Sequence, residues 1–82
     1  MTEEQEAMLL WWRTFEGWAQ VPPTVQECAT GLGIKPGLAA SRVRRLVRLG
    51  LLEWNPHLKP GASRAVRSTE LGQQWSMSGG AS

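Results

Sequence analysis

The chain has one cysteine, one histidine, one phenylalanine and no tyrosine. Cys28 has no second thiol to pair with, which excludes an internal disulfide. Cys28 and His57 alone are too few ligands for a structural zinc site. They fall in different predicted elements with no third partner, so a Cys–His nucleophile has no basis. Cys28 reads instead as a small buried apolar residue on a helix. The phosphate-loop pattern Gly-x-x-x-x-Gly-Lys-Ser/Thr does not occur. No apolar run reaches membrane-spanning length. Glu3, Glu4 and Glu6 stand where a secretory signal would be cationic. These absences point to a non-enzymatic domain with no cofactor, metal, membrane or small-molecule ligand implied, working in a reducing cytoplasm. The 82 residues make one domain with room for one small core.

What is present is unevenly placed. Residues 1–34 hold Glu3, Glu4, Glu6, Glu16 and Glu27 against Arg13, a net charge of −4. Residues 35–67 hold Lys35, Arg42, Arg44, Arg45, Arg48, Lys59, Arg64 and Arg67 against Glu53, a net of +7. Such asymmetry is the electrostatic footprint expected of a polyanion binder.

Thr2 with Gln5 and Thr24 with Glu27 have capping-box spacing, so each opens a helix. In the first helix Met8, Trp11, Phe15 and Trp18 recur at helical spacing, with Leu9 and Trp12 toward one edge of the stripe. The five tryptophans are expected to fill the core. Gly17 weakens the end of this helix, and Pro22-Pro23 stops it. Val25, Cys28, Ala29 and Leu32 give the second helix one apolar face, and Gly33 ends it. Pro36 opens a third helix over 37–49. Ala39, Ala40, Val43, Leu46 and Val47 fall on its inner side. Gly37, Leu38, Ser41, Arg45 and Arg48 lie opposite, with Arg42 and Arg44 on the flanks. Leu51–Trp54 and Arg64–Ser68 read as strands of a hairpin. Thr69 caps a short last helix ending at Trp75, expected to pack on the first through Leu71 and Trp75. Residues 1–75 are thus the domain, and 76–82 read as a disordered tail or cloning remnant.

The order helix–helix–helix–strand–strand is that of a winged helix-turn-helix, an α+β fold that is mainly α. Its third helix has a diameter that a DNA major groove admits. Guanidinium groups bridge phosphate oxygens, or guanine O6 and N7, with paired hydrogen bonds. Gly37, Ala40 and Ser41 are small enough to let the backbone approach bases. Leu38 is placed to meet a thymine methyl. The wing, residues 55–64, offers Lys59 and Arg64 to a phosphate backbone or minor groove, while His57 reads as an exposed loop residue.

Residues 22–34, Pro-Pro-Thr-Val-Gln-Glu-Cys-Ala-Thr-Gly-Leu-Gly-Ile, resemble the second helix and turn of LexA-type repressors. Leu46-Val47-Arg48-Leu49-Gly50-Leu51-Leu52 resembles the end of their third helix, and residues 61–67, Gly-Ala-Ser-Arg-Ala-Val-Arg, their wing strand. The likeness covers residues 2–70, although Ser68-Thr69-Glu70-Leu71-Gly72 is closer to MarR-like regulators. By family role, Gly37, Leu38, Ala40, Ser41 and Arg44 occupy the base-reading face. Lys35, Arg42, Arg45, Arg48, Lys59 and Arg64 are then expected to hold phosphates. LexA repressors also carry a self-cleaving protease domain that dimerises them, and no such domain is read in these residues. The turn before the third helix is one residue shorter here. The family's acidic base-reading positions fall near Ala40 and Ser41, so the LexA operator is not implied.

The expected function is a sequence-specific regulator of transcription, a repressor, bound to double-stranded DNA in the cytoplasm of a bacterium or phage host and associated with the nucleoid. One module covers limited DNA, so a homodimer through the first or last helix is expected. The alternatives are a winged-helix protein–protein adaptor, and an excisionase-type or replication-initiator-type DNA-binding protein.

Overall fold

Threonines set the helix starts. Thr2 Oγ1 accepts from the Gln5 amide at 3.2 Å while Gln5 Oε1 accepts from the Thr2 amide at 3.1 Å, which opens α1 (Glu3–Ala19). Thr24 and Glu27 make the same reciprocal pair at 3.0 and 2.9 Å, which opens α2 (Val25–Leu32). Each pair satisfies donors that a helix start otherwise leaves orphaned. The computed structural model describes residues 2–59 and 61–75, so the expectation for the tail at 76–82 lies outside the described residues.

α1 runs through Gly17 and stops where Gln20 turns left-handed, at φ 63°. α2 stops at Gly33, φ 69°, a conformation that glycine adopts without a Cβ penalty. The Ile34 amide then donates back to Ala29 O at 2.9 Å, closing the turn before α3 (Pro36–Arg48). α3 starts one residue earlier than its sequence pattern predicts and also ends one earlier. β1 (Leu52–Trp54) and β2 (Val66–Ser68) pair antiparallel in the register Leu52↔Ser68, Glu53↔Arg67, Trp54↔Val66. β2 is shorter than expected because Arg64 is left-handed, at φ 58°. α4 (Glu70–Gln74) closes the described chain under a Thr69 cap. The result is a winged helix-turn-helix, mainly helical, with β1 and β2 forming the wing's stem.

One core joins these elements. Met8, Leu9, Trp12, Cys28, Ala39, Val43, Leu46, Leu51, Leu52 and Val66 are buried in it. Here the first helix departs from its sequence reading. The inward residues are Met8, Leu9 and Trp12, whereas Phe15 is half-buried and Trp18 is 71% exposed. The phase is fixed by Trp12, whose Nε1 donates to Val66 O at 3.3 Å. A buried indole N–H needs such a partner. The outer aromatics associate with one another instead, with ring centroids 5.4 Å apart for Trp11–Phe15 and 5.0 Å for Phe15–Trp18.

The last helix also docks differently from expectation. Leu71 is 53% exposed and does not hold α4 in place. Gly72 does, by lying so close to the Leu51 carbonyl that a Cβ would collide with that oxygen. Thr69 Oγ1 donates to Gly50 O at 2.6 Å beside it. Trp75 packs against the core as expected, and Arg13 Nη1 donates to its carbonyl oxygen at 2.8 Å.

Candidate nucleic-acid interface

α3 is strongly two-sided. Ala39, Val43 and Leu46 are buried, with Ala40 and Val47 at the margin. Gly37, Leu38, Ser41, Arg44, Arg45 and Arg48 are exposed, and Arg42 is half-buried on the flank. Leu38, 44% exposed, is an apolar side chain on this otherwise polar face. Pro36 sits at the first helical position, and Lys35 supplies no side-chain cap. The first amides of α3 and the positive end of its dipole are therefore left without a side-chain acceptor.

The partners of the charged groups divide them into two sets. Glu27 receives Arg64 through both carboxylate oxygens, at 2.8 and 2.9 Å, and Arg64 Nη1 also donates to Pro22 O at 3.0 Å. The Arg64 fork, with Thr24 behind it, holds the Glu27 carboxyl below its ordinary pKa. Arg67 Nε donates to Glu53 across the hairpin at 2.9 Å. Glu16 accepts from the amide of buried Ser68 at 2.9 Å. By contrast, Lys35, Arg42, Arg44, Arg45, Arg48 and Lys59 have no carboxylate within ion-pair distance among the described residues.

Of the residues expected to contact DNA, the α3 group is thus gathered on one helix face and flank. Arg64 is set apart, because its guanidinium ties the base of the wing to the start of α2. Sequence spacing gave no signal for that tie, since Arg64 and Glu27 are 37 positions apart. Trp54 was also missed as a surface residue. It is 56% exposed, and with Val43, Arg44, Val47 and Arg48 it lines a cleft of about 220 Å³ between α3 and β1. On its other side Trp54 lines a hollow of about 390 Å³ in the wing with Leu58 and Lys59. The alternation Leu52-Glu53-Trp54 puts Trp54 on the same strand face as the core residue Leu52, so the sequence pattern pointed to burial and gave no signal of its exposure.

Cys28 is fully buried, and burial pushes its thiol up to about 11. A thiol in that state has little thiolate character at neutral pH. Among the described residues no helix is long and apolar enough to cross a membrane.

Residues 1–65 match the family model described as LexA DNA binding domain, a span from the start of α1 into the wing. The chain belongs to the LexA DNA-binding domain family. Comparison with curated proteins gives no match. A LexA-type domain has double-stranded DNA as its partner, and its arrangement here accounts for the division of charges. The carboxylates of α2 and β1 hold the LexA-type fold together, whereas the α3 cations face outward.

Proposed function

We propose that the protein is a sequence-specific transcription regulator, a repressor, that inserts α3 into the DNA major groove. The observation that supports this reading is the set of four α3 arginines with no carboxylate partner among the described residues. An arginine cluster left unpaired on one helix is matched by a line of phosphates.

In this reading the first turns of α3 meet the bases. Gly37, Ala40 and Ser41 let the backbone approach, and Leu38 meets a thymine methyl. Arg44, on the third turn, forks onto a guanine. Lys35, Arg42, Arg45 and Arg48 hold phosphates along the two strands bordering the groove, and the uncapped start of α3 adds its amides. Lys59 brings the wing onto the flanking backbone. Arg64 positions that wing through Glu27 rather than meeting phosphate itself. The domain, residues 1–75, works without catalysis, in the cytoplasm on the nucleoid. Two copies occupy a two-fold site, joined through α1 or α4, and block polymerase.

Selection of bound duplexes from a random library tests this reading. The expected product is a motif with two inverted halves. No enrichment at all overturns sequence-specific binding, and a single unrepeated half overturns the homodimer.

A second reading, a protein–protein adaptor, is favoured by one observation. Trp11, Phe15 and Trp18 line an open groove of about 420 Å³ against α2. That reading leaves the α3 arginines without a role.

A further inference from the structure

Trp54 is out of place by ordinary accounting of side chains. A large aromatic ring more than half exposed has its apolar area in water, where burial would be favourable. The reason lies in the wing's geometry. Leu52 and Trp54 share one face of β1, and Leu52 fills the core. Two residues on, Trp54 pairs with the core residue Val66, but its ring lies at the margin of the core and lines a cleft against α3. The indole therefore stands between two cationic groups. Val43, Arg44, Val47 and Arg48 share a cleft with it on the α3 side, and Lys59 shares a hollow with it on the wing side. None of these three cations has a carboxylate partner among the described residues.

A cation, an apolar plane and a second cation in succession match the chemistry of a nucleic-acid strand. Its phosphates are anionic, and the deoxyribose between them presents C–H groups. Neither a wholly apolar partner nor a free anion uses all three elements. We propose that Trp54 is a DNA contact, seated against a deoxyribose of the strand that passes from α3 to the wing. Arg48 and Lys59 hold the phosphates on either side. Arg44 lies one turn nearer the start of α3, and so nearer the base edges. This inference rests on the DNA-binding reading of α3 and adds a residue that neither charge nor motif had marked.

The test uses the full chain, a labelled random-sequence duplex at low salt, and the variants Trp54→Ala, Trp54→Phe and Trp18→Phe. Melting curves establish that each variant is folded. Trp54→Ala is expected to weaken duplex binding about tenfold, the effect of leaving the exposed half of an indole in water. Its salt slope stays that of the wild type, because an apolar contact releases no counterion. Trp54→Phe retains most of the affinity but loses the DNA-dependent change in tryptophan fluorescence, which Trp18→Phe keeps. Duplex affinity unchanged in Trp54→Ala, or a fluorescence change that persists in Trp54→Phe, overturns the proposal. So does a loss confined to the matching labelled single strand, titrated alongside the duplex, which assigns the ring to base stacking. A wild-type chain that binds no duplex at any salt brings down the DNA-binding reading of α3, and this inference with it. Wild-type binding with a silent Trp54 brings down this inference alone.

Discussion

Two glutamates of the first half, Glu16 and Glu27, and the arginines of α3 are handled in opposite ways. Glu16 in α1 and Glu27 in α2 are bound to Ser68 and Arg64, which lie far along the chain. Their charge is absorbed into joining the helices to the wing. The α3 arginines have no such partner among the described residues, so their charge is directed outward. Composition alone suggests one basic surface from residue 35 to residue 67. Pairing divides that set, with Arg64 and Arg67 tied into the fold and the α3 group, without carboxylate partners among the described residues, left for the proposed interface. A similar contrast runs along α1, where neighbouring tryptophans have opposite fates. Trp12 is buried and hydrogen-bonded, whereas Trp18 is largely exposed.

The largest expected effect separates those two tryptophans. Trp12→Ala should cost about 3–5 kcal/mol, the range for emptying a buried aromatic site. That is comparable with the whole stability of a small domain, so the variant should be largely unfolded. Trp18→Ala should stay within about 0.5 kcal/mol of wild type. Urea melts check both, and equal losses would erase the contrast along α1.

Next in size are the proposed base contacts. Ser41→Ala or Arg44→Ala should alter site preference by about 1–3 kcal/mol at one position. If library selection returns the wild-type motif for both, the reading face is assigned wrongly.

Smaller still is the effect of a single proposed phosphate contact. Arg45→Ala and Arg48→Ala should weaken binding to every sequence and reduce the salt slope by about one unit each. Arg67→Ala, which removes a cation already paired with Glu53, should leave the slope unchanged. An equal drop for Arg67 and Arg48 in salt titrations would mean that pairing does not distinguish architecture from interface.

The smallest effect concerns Glu27. Its pKa is lowered in the folded chain by Arg64 and the Thr24 amide. A carboxylate so shifted adds stability above its unfolded pKa and loses it as pH falls through the folded value. Both side chains of the pair are more than a third exposed, so solvent screens much of the effect. Wild type should therefore melt slightly above Glu27→Gln at neutral pH, with the gap closing on acidification. A gap that stays constant into strong acid would remove the carboxylate from the account.

Local chemistry made most of the fold legible. Thr2–Gln5, Thr24–Glu27, Gly33 and Pro36 mark helix ends through contacts within a few residues, and spacing reveals them. α3 was legible for another reason, since its polar and apolar residues separate cleanly at 100° per residue. α1 was not, because Met8, Leu9, Trp11, Trp12, Phe15 and Trp18 cover more than one face. Periodicity cannot choose among such faces; the choice depends on the distant residues of α3 and the wing that bury Met8, Leu9 and Trp12, with Val66 O taking the Trp12 Nε1–H. The site was legible as a charged helix and wing, but the role of Arg64 depended on a partner 37 residues away. Trp54 required knowing that the core takes in its strand partner Val66 and leaves the indole itself more than half exposed.

The central claim is that the α3 cations are held free for a polyanion. Fluorescence anisotropy of a labelled duplex, titrated with the protein across a salt series, tests it most directly. Binding should be present at low salt and fall linearly in log–log form, with a slope of about −4.5 for five phosphate contacts. No binding at low salt, or affinity indifferent to salt, would contradict the claim.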